Sequence, residues 1–432
     1  MPTAPNEPSP REPAFLARWN PWRGLAGLPG RLWLLFAATL VNRAGTMVLP
    51  FLALYLTRAR GFSIRQAGAM LAVYGVAAIA VSPVAGRLAD RVGPLPVMVG
   101  GLFGAGGVLL VYPFARGAAA IALATLVFAL GNEMYRPASL TAVGSWLAPE
   151  QLRMGFVMTR LAINLGMSVG PAVGGLLATR SFTALFWVDA LTSLAAGSFL
   201  LAALPRLRRA GTLPPSRREG AAAGSAGDAP AGTASGSVLA DRAFLYFLIG
   251  VTVVLVVFFQ HASSMPLFMV QTLGLSPAVY GLMFTLNTAA IVLFEVPLNG
   301  AMAAWPFQRS LALGALFTAL GFGGLGLARG VGGVAIATST FTLGEMILFP
   351  SSSAYAAHLA PAGRRGAYMG AYSMTAAIAF ALGPWAGTAV LARWGPTALW
   401  SACFAVCLLG ALLFASLRRL RPDGRAAADA AG

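Results

Sequence analysis

The sequence predicts an all-α polytopic membrane protein whose twelve transmembrane helices form two pseudo-symmetric bundles of six. Three observations predict this fold. Of the 432 residues, 58% are hydrophobic and only 10% are charged, which is too little charge to cover the surface of a soluble protein of this length. The apolar residues come in long blocks separated by short polar breaks. The two halves of the chain also repeat one another at a nearly constant distance.

The apolar blocks are each long enough to cross the hydrocarbon core of a bilayer, which needs about 20 residues. Their predicted limits are 31–57, 66–86, 95–115, 118–147, 154–178, 182–204, 242–272, 277–299, 308–328, 331–359, 366–391 and 396–417. They divide the chain into an N-terminal tail (1–30), a first bundle (31–205), a Gly-, Ala-, Ser- and Pro-rich linker (206–241), a second bundle (242–417) and a C-terminal tail (418–432). The leader does not have the pattern of a cleavable signal peptide.

The basic residues indicate the orientation. All 30 are arginines, and the formal net charge is +17. In a soluble protein this charge would suggest nucleic acid, but in a membrane protein the excess belongs on the cytoplasmic loops. With both termini inside, the cytoplasmic tails and loops hold 20 arginines, the outer loops hold seven, and three fall within spans. We therefore expect a multi-pass protein of the plasma membrane with both termini in the cytoplasm and no nucleic-acid partner.

Four short stretches of the first half recur in the second. They are "SPVAG" (82–86) with "VPLNG" (296–300), "GNEMYRP" (131–137) with "GEMILFP" (344–350), "LAP" (147–149) with "LAP" (359–361), and "GPAVGG" (170–175) with "GPWAGT" (383–388). The offsets, in that order, are 214, 213, 212 and 213 residues. Matches in order at nearly one offset indicate duplication of a six-helix unit. In parallel repeats of this kind, a substrate path forms between the halves near the bilayer midplane.

The loop "GRLADRVG" (86–93), between spans two and three, resembles the signature loop of the major facilitator superfamily of transporters, with Gly86, Asp90, Arg91 and Gly93 in place. The resemblance covers all twelve spans and implies the major facilitator fold. It departs from the signature where Pro94 and Leu95 replace the usual basic pair. In that family the acidic residue is thought to latch one conformational state; the alternative is an ordinary solvated loop charge.

The stretch "NLGMSVGPAVGG" (164–175) in span five resembles the motif of the family's proton-driven exporters, through Gly166, Gly170, Pro171, Gly174 and Gly175. The first, second and fourth of these recur every four residues, so they share one helix face that another helix can approach closely. The proline bends the same helix. The resemblance implies export, whereas the alternative interpretation is helix packing alone.

Seven polar residues fall near the centres of apolar spans, where lipid cannot solvate them. They are Asn42, Arg43, Glu133, Arg136, Asn164, Asn287 and Glu345. In a helical bundle such side chains face the interior or a water-filled cavity, so we expect these seven to line a central cavity. Their predicted roles are proton coupling and substrate contact.

Glu133 and Arg136 are three residues apart on a helix, so they can pair. Arg136 falls where the resembling family carries an arginine linked to proton coupling. Arg43, midway along span one, could compete for the Glu133 carboxylate. A carboxylate that alternates between an arginine and an apolar cavity changes its hold on a proton with conformation, as a proton-coupled carrier requires. The alternative is a permanent buried salt bridge that fixes helix register.

The remaining charged residues within or near spans have structural interpretations. We expect Glu295 to pair with loop arginines, Asp189 to pack between helices or pair with Arg180, and Arg160 to pair with Asp90 or a lipid phosphate. Glu345 has no obvious partner nearby in sequence.

The histidines and cysteines show no metal-ligand spacing. We interpret His261 and His358 as polar lining or helix-end residues, and Cys403 and Cys407 as buried small hydrophobes. Pliable apolar side chains in spans seven and eight would suit a broad binding pocket, although core or lipid-facing packing is the commoner role. These side chains are Phe258, Phe259, Met265, Phe268, Met269, Met283 and Phe284.

The sequence contains no nucleophile–base pair, phosphate-binding loop or metal cluster, so we expect neither enzymatic activity nor a cofactor. The first hypothesis is a monomeric secondary transporter that exports small amphipathic or drug-like molecules by alternating access, with the proton gradient as its energy source. A proton-coupled uptake symporter for a small nutrient and a transport-inactive sensor or scaffold are the alternatives. The expected partners are a small-molecule substrate and the lipid bilayer.

Overall fold

The computed structural model of the protein describes residues 29–147, 149–209, 241–302, 304–361 and 365–417. Within these ranges the chain forms helices and short connections, without a strand. The predicted tails, apart from residues 29–30, and linker residues 210–240 lie outside the described residues. A few residues inside helices, including Gly86 and Asp90, are described only by their backbone.

The first half holds six spans, and the first of them is two helices. Their bounds are Gly30–Gly45 and Val48–Arg58 for span one, Ile64–Val92 for span two, Pro94–Val111 for span three, Gly117–Trp146 for span four, Pro149–Arg180 for span five and Phe182–Arg209 for span six.

The second half follows the same order. Its bounds are Arg242–Phe258 with the short turns Phe259–Ala262, Ser264–Leu267 and Phe268–Thr272 for span seven, Pro277–Ala301 for span eight, Phe307–Leu325 for span nine, Val331–Leu359 for span ten, and Arg365–Ser416 for spans eleven and twelve.

Ten helical stretches of the described chain are long and apolar enough to cross a membrane. One of them, Tyr368–Ser416, contains two spans, because Gly395 at φ 80° takes a left-handed conformation that interrupts the helix. Phe307–Leu325 is outside the ten and completes the twelve. The predicted twelve-helix, all-α fold is confirmed.

Consecutive spans run in opposite directions, so the bundle has two ends. We call the end that holds Gly30 and Ser416 the terminal end, and the end that holds Arg58 the opposite end. Spans five and six extend further at the terminal end than predicted, to Pro149 and Arg209. The apolar pattern marks the part of a helix inside the hydrocarbon core, whereas the helix itself continues into polar sequence.

The duplication is visible in how equivalent helices pack. A Cβ built on Gly101 of span three would lie 2.7 Å from the Gly131 carbonyl oxygen of span four. In the second half, a Cβ on Gly344 of span ten would lie 2.7 Å from the Gly314 carbonyl oxygen of span nine. Each glycine is 213 positions from its counterpart. At both crossings the helix backbones therefore touch, which only small residues allow.

The two halves meet along spans two, five, eight and eleven, and this seam is closed at the opposite end. A Cβ on Gly175 of span five would lie 2.7 Å from the Pro277 carbonyl oxygen of span eight. Gln271 Nε2 donates to Thr57 Oγ1 across the seam at 3.0 Å. Arg58 Nη2 donates to the Val270 carbonyl oxygen at 3.2 Å. The two halves are therefore in direct contact at this end in the present conformation.

Spans one and seven are both interrupted, and at equivalent places. Span one breaks after Gly45 and resumes at Val48, while span seven leaves regular α-helix at Phe259. Thr46 in the first break is 213 positions from Phe259. A break frees backbone N–H and C=O groups, which in a membrane must find partners inside the protein. The residues that bind these freed backbone groups lie next to the candidate site and are described with it.

Candidate functional site

A cavity of about 280 Å³ lies near the middle of spans five, seven, eight and ten. Its wall consists of Asn164, Met167, Phe258, Phe259, His261, Met265, Tyr280, Met283, Phe284, Asn287, Thr288, Ile291, Thr338, Phe341 and Glu345. Three of the seven predicted cavity residues are among them. The other four lie in spans one and four of the first half, outside this wall, namely Asn42, Arg43, Glu133 and Arg136.

The carboxylate of this wall is held by an amide. Asn287 Nδ2 donates at 2.8 Å to Glu345 Oε2 and at 2.8 Å to Thr342 Oγ1. Glu345 has no ion pair, because the single ion pair among the described residues is elsewhere. Glu345 was predicted to have no obvious partner nearby in sequence, and its partner indeed comes from span eight, 58 residues away in the chain.

The Glu133 carboxylate lies in a second polar cluster. Tyr74 of span two donates its hydroxyl to Glu133 Oε1 at 2.6 Å, and Asn132 Nδ2 donates to the Tyr74 hydroxyl oxygen at 2.6 Å. Within the described part of the chain, Glu133 forms no ion pair with Arg136, which is exposed. The helical spacing allowed that pair, but a neutral hydroxyl satisfies the carboxylate without bringing a second charge out of water.

The two clusters are counterparts under the repeat. Tyr74 and Asn287 are 213 positions apart, and so are Asn132 and Glu345. In each half, a polar side chain of the second span therefore reaches a polar group of the fourth. In the first half, the second-span group is a tyrosine hydroxyl that also binds the carboxylate next to Asn132. In the second half, the equivalent residues line a cavity. The duplicated scaffold thus carries different chemistry in its two copies.

Span one presents two buried polar atoms that have no hydrogen-bond partner, Asn42 Oδ1 and Arg43 Nε. The Asn42 side chain is only 3% exposed. An unsatisfied buried polar atom costs about 1–3 kcal/mol, so these two destabilise the present arrangement relative to one in which they find partners. Both lie in the last turn before the break in span one.

The break in span one is capped by Asp189 of span six. Its Oδ2 atom accepts the backbone N–H groups of Met47 at 3.0 Å and Val48 at 2.9 Å. Of the two alternatives predicted for Asp189, packing between helices agrees with the structure, since it joins span six to span one, whereas no ion pair with Arg180 is present among the described residues. Asp189 is 4% exposed, and nothing in the sequence near it indicated this role.

Three glycines of the exporter-type motif pack closely against span one on both sides of its break. Cβ atoms built on Gly166 and Gly170 would collide with the backbone of Arg43 and Ala44, and one on Gly174 would lie 3.0 Å from Met47 Cβ. Gly175 instead faces span eight across the seam. Pro171 lies inside the helix between them. The motif therefore holds the broken span on one face and the other half of the protein on another.

The single ion pair of the described residues joins Arg160 of span five to Glu295 of span eight. It links the two halves on the terminal side of the cavity, with the Arg160 side chain 55% exposed and that of Glu295 12% exposed. Glu295 therefore pairs with an arginine of a span and not with a loop arginine as predicted, while the predicted partner Asp90 of Arg160 lies outside the described side chains. Arg160 and Glu295 lie on facing helices of different halves, which separate readings of each half could not reveal.

The signature loop is described only in part. Gly86 and Asp90 lie outside the described side chains. Arg91 is exposed in the last turn of span two, and Gly93 at φ 88° takes a left-handed conformation that turns the chain into span three.

Five of the seven pliable apolar residues predicted in spans seven and eight line the cavity, whereas Phe268 and Met269 are buried outside it. His261 also lines the cavity, and its Nδ1 atom lies 2.7 Å from the Phe258 carbonyl oxygen. His358 lies in the last turn of span ten. The sequence did not point to the six remaining wall residues, because their place in the wall depends on how spans five, eight and ten converge; they are Met167, Tyr280, Thr288, Ile291, Thr338 and Phe341.

A sequence profile decides the family. The profile of the Major Facilitator Superfamily matches residues 34–274 and 261–432. The chain belongs to the Major Facilitator Superfamily. It is therefore a multi-pass membrane transporter and not an enzyme, which confirms the resemblance seen in the loop between spans two and three. Membership of the family also implies a small-molecule substrate.

Relatives share the family over most of the chain. An uncharacterised MFS-type transporter of Bacillus subtilis, YqjV, is 25% identical over 88% of this chain and 91% of its own length. A protein named multidrug resistance protein MdtH, of Aeromonas salmonicida, is 27% identical over 79% of this chain and 82% of its own. A protein of Planococcus maritimus named as a Na⁺, Li⁺, K⁺/H⁺ antiporter is 25% identical over 80% of this chain and 85% of its own.

Solved structures share the fold. The peptide transporter POT in complex with sulfate superimposes with a TM-score of 0.75 at 20% identity, over 94% of this chain and 98% of its own. The human organic anion transporter MFSD10 superimposes with a TM-score of 0.60 at 19% identity, over 90% of this chain and all of its own. These similarities concern the fold alone.

Reversing one charge of the ion pair between the halves is expected to slow transport without unfolding the protein. Arg160→Glu or Glu295→Arg places like charges opposite one another, while the double exchange restores attraction. Because Arg160 is largely exposed, the pair itself contributes about 1 kcal/mol or less. The measurements are the transport rate and the thermal unfolding midpoint of the two single variants and the double variant. A double variant as slow as the single ones would show that the attraction has no role.

Proposed function

We propose that this transporter exports small amphipathic molecules by alternating access, in exchange for protons. The observation that carries the proposal is the cavity wall, which combines aromatic and methionine side chains with one partly buried carboxylate and a few neutral polar groups. Such a wall accepts apolar bodies of various shapes and offers one fixed negative or hydrogen-bonding contact. The names of two relatives, a multidrug resistance protein and a cation/proton antiporter, support the proposal.

In this proposal the second half binds the substrate. Glu345, held by Asn287, contacts the polar or basic part of the substrate, and Asn164 contacts it from span five. Phe258, Phe284 and their neighbours surround its apolar part. Because the wall draws on both halves of the protein, through span five and spans seven, eight and ten, rocking one half against the other exposes the substrate to alternate sides.

The first half holds the proton. Glu133 is the proposed carrier, since it is an intramembrane carboxylate without an ion pair in the described structure. Arg43 and Arg136 are its proposed alternating partners. When a guanidinium group moves toward a carboxylate or away from it, the carboxylate's hold on its proton changes. Asn42, with its unsatisfied Oδ1 atom, belongs to the same region of span one.

We propose that the protein acts as a monomer in the cell membrane. The proposed orientation puts both termini in the cytoplasm, on the basis of the 20 arginines against seven. The terminal end then faces the cytoplasm, and the present conformation is closed on the outer side. Gly86, Asp90, Arg91 and Gly93 form the proposed latch of the other state. The glycines of span five are the proposed pivot.

The test uses inverted membrane vesicles with an acidic lumen and a lumenal pH dye. A panel of lipophilic amines, neutral amphiphiles and the monovalent cations Na⁺ and K⁺ is added one at a time, and uptake is followed in parallel. We expect at least one amphipathic compound to accumulate in the lumen and to raise the lumenal pH as it does so. Vesicles without the transporter are the control.

Other outcomes identify other functions. Movement of substrate and protons in the same direction would indicate uptake symport instead of export. Proton release driven only by Na⁺ or K⁺ would indicate that inorganic cations, and not amphipathic compounds, are the substrates. Accumulation without any change in lumenal pH would contradict proton coupling.

A further inference from the structure

Different side chains stabilise the broken spans of the two halves. In the first half, Asp189 Oδ2 accepts the N–H groups of Met47 and Val48, which begin the second helix of span one. In the second half, the position equivalent to Asp189 is Ala402, 213 residues later. There Gln260 stabilises the break, since its Nε2 atom donates to the Gly383 carbonyl oxygen at 2.7 Å. One break is therefore held by a titratable group and the other by a neutral amide.

The charge of the Asp189 carboxylate matters for this cap. A carboxylate at a helix N-terminus gains from the helix dipole, and its hydrogen bonds to N–H groups are about twice as strong as neutral ones. Asp189 is 4% exposed, so water does not compete for those bonds. Protonation would remove both advantages at once.

The titratable groups near Asp189 come from span one and from Tyr112, the residue after span three. Arg43 attracts the carboxylate electrostatically but forms no ion pair with it among the described residues. Tyr55 and Tyr112 pack on Phe186, a turn away. Of the other helices against span six, Pro94–Val111 carries no titratable side chain. Span five carries Glu150 and three arginines, all distant in sequence from the glycines that pack on the break.

The helix that Asp189 caps takes part in closing the opposite end. Phe51 packs on Tyr280 of span eight, with ring centroids 5.1 Å apart. Thr57 accepts from Gln271, and Arg58 donates to the Val270 carbonyl oxygen. A change at the cap is therefore transmitted directly to the seam between the halves, about three turns along one rigid helix.

We propose that Asp189 is a second protonation site, separate from Glu133, and that its protonation opens the seam at the opposite end. The proton binds the carboxylate, the charge-assisted bonds to Met47 and Val48 weaken, and the helix Val48–Arg58 is released to move away from spans seven and eight. The inference deepens the proposed proton coupling and rests on it. It assigns the sensing of outside acidity to span six and leaves proton carriage to Glu133.

The test measures the seam directly, without substrate and without a gradient. Arg116 and Arg329 are exposed, equivalent residues of the two halves at the opposite end, 213 positions apart. Arg116→Cys and Arg329→Cys, in a background with Cys403 and Cys407 replaced by Ala, carry spin labels in lipid nanodiscs. We expect the distance between the labels to increase when the buffer is changed from mildly alkaline to mildly acidic.

The variants at Asp189 separate charge from packing. Asp189→Asn and Asp189→Ser keep a capping oxygen but cannot be titrated, so both are expected to lose the response to pH; Asp189→Ser also serves if the first variant does not fold. Asp189→Glu and Glu133→Gln are expected to keep the response. A wild-type response in both neutral variants, or no response in the unsubstituted protein, would overturn the inference. Because no substrate is present, neither result depends on whether the transporter exports.

Discussion

Glu133→Gln is expected to abolish proton-driven transport while leaving the protein folded and inserted. The amide oxygen still accepts the Tyr74 hydroxyl, so the cluster between spans two and four is kept and the loss of stability is on the order of 1 kcal/mol. The amide cannot take up or release a proton, so the proposed carrier is lost. The measurement is substrate accumulation in vesicles with an imposed pH gradient, compared with exchange of substrate in the absence of a gradient.

Two matched variants serve as controls for this result. Tyr74→Phe removes the hydrogen bond that Glu133→Gln keeps, but it leaves the carboxylate in place, and it is expected to keep gradient-driven transport at a reduced rate. Glu345→Gln is the related change at the counterpart cluster, and it is expected to weaken substrate binding more than proton coupling. Gradient-driven accumulation by Glu133→Gln at the wild-type rate would contradict the role proposed for this carboxylate.

Gly281→Ala is expected to prevent closure of the seam at the opposite end. A Cβ at this position would overlap the Pro171 carbonyl oxygen of span five, and the backbone of that helix cannot move aside as a flexible side chain can. Overpacking typically costs about 1–3 kcal/mol. Here the cost falls only on the closed state, so the closed population should decrease by about 5- to 150-fold. Transport, which needs both states, should decrease with it.

The measurement is the label distance at Arg116→Cys and Arg329→Cys, together with the transport rate. Gly104→Ala in span three is the matched control, because a Cβ there meets nothing within 4 Å. It is expected to leave the distance and the rate unchanged. A Gly281→Ala variant with the wild-type distance would show that spans five and eight can pack closely in another way.

The sequence supported the fold because membrane insertion depends on local composition. Each apolar block must cross the hydrocarbon core whatever its neighbours are, so the spans could be predicted one by one. The repeat was also visible, since "GPAVGG" (170–175) and "GPWAGT" (383–388) keep the glycines that both helix pairs need. Span nine shows the limit of composition, because Phe307–Leu325 is outside the ten stretches that are long and apolar enough to cross a membrane and yet occupies an equivalent place in the bundle.

The partners of the buried polar groups could not be predicted in this way. The spacing of Glu133 and Arg136 allowed an ion pair, but the carboxylate contacts Tyr74, which is 59 residues away. Asp189 gave no signal of a capping role, since its two donors are more than 140 residues earlier in the chain. Helical spacing describes neighbours on one helix, whereas a buried carboxylate takes the donors that facing helices present.

The sequence by itself determined that this protein crosses the membrane repeatedly, that its halves are related, and which polar residues fall within the apolar spans. Hydrophobicity and the cost of burying charge are properties of individual segments, so these conclusions needed no contacts. Only the tertiary structure decided that the cavity wall belongs mainly to the second half, that Arg160 and Glu295 join the halves, and that Asp189 holds the break in span one. Each of these depends on which helix faces which, and that follows from packing across hundreds of residues rather than from any local pattern.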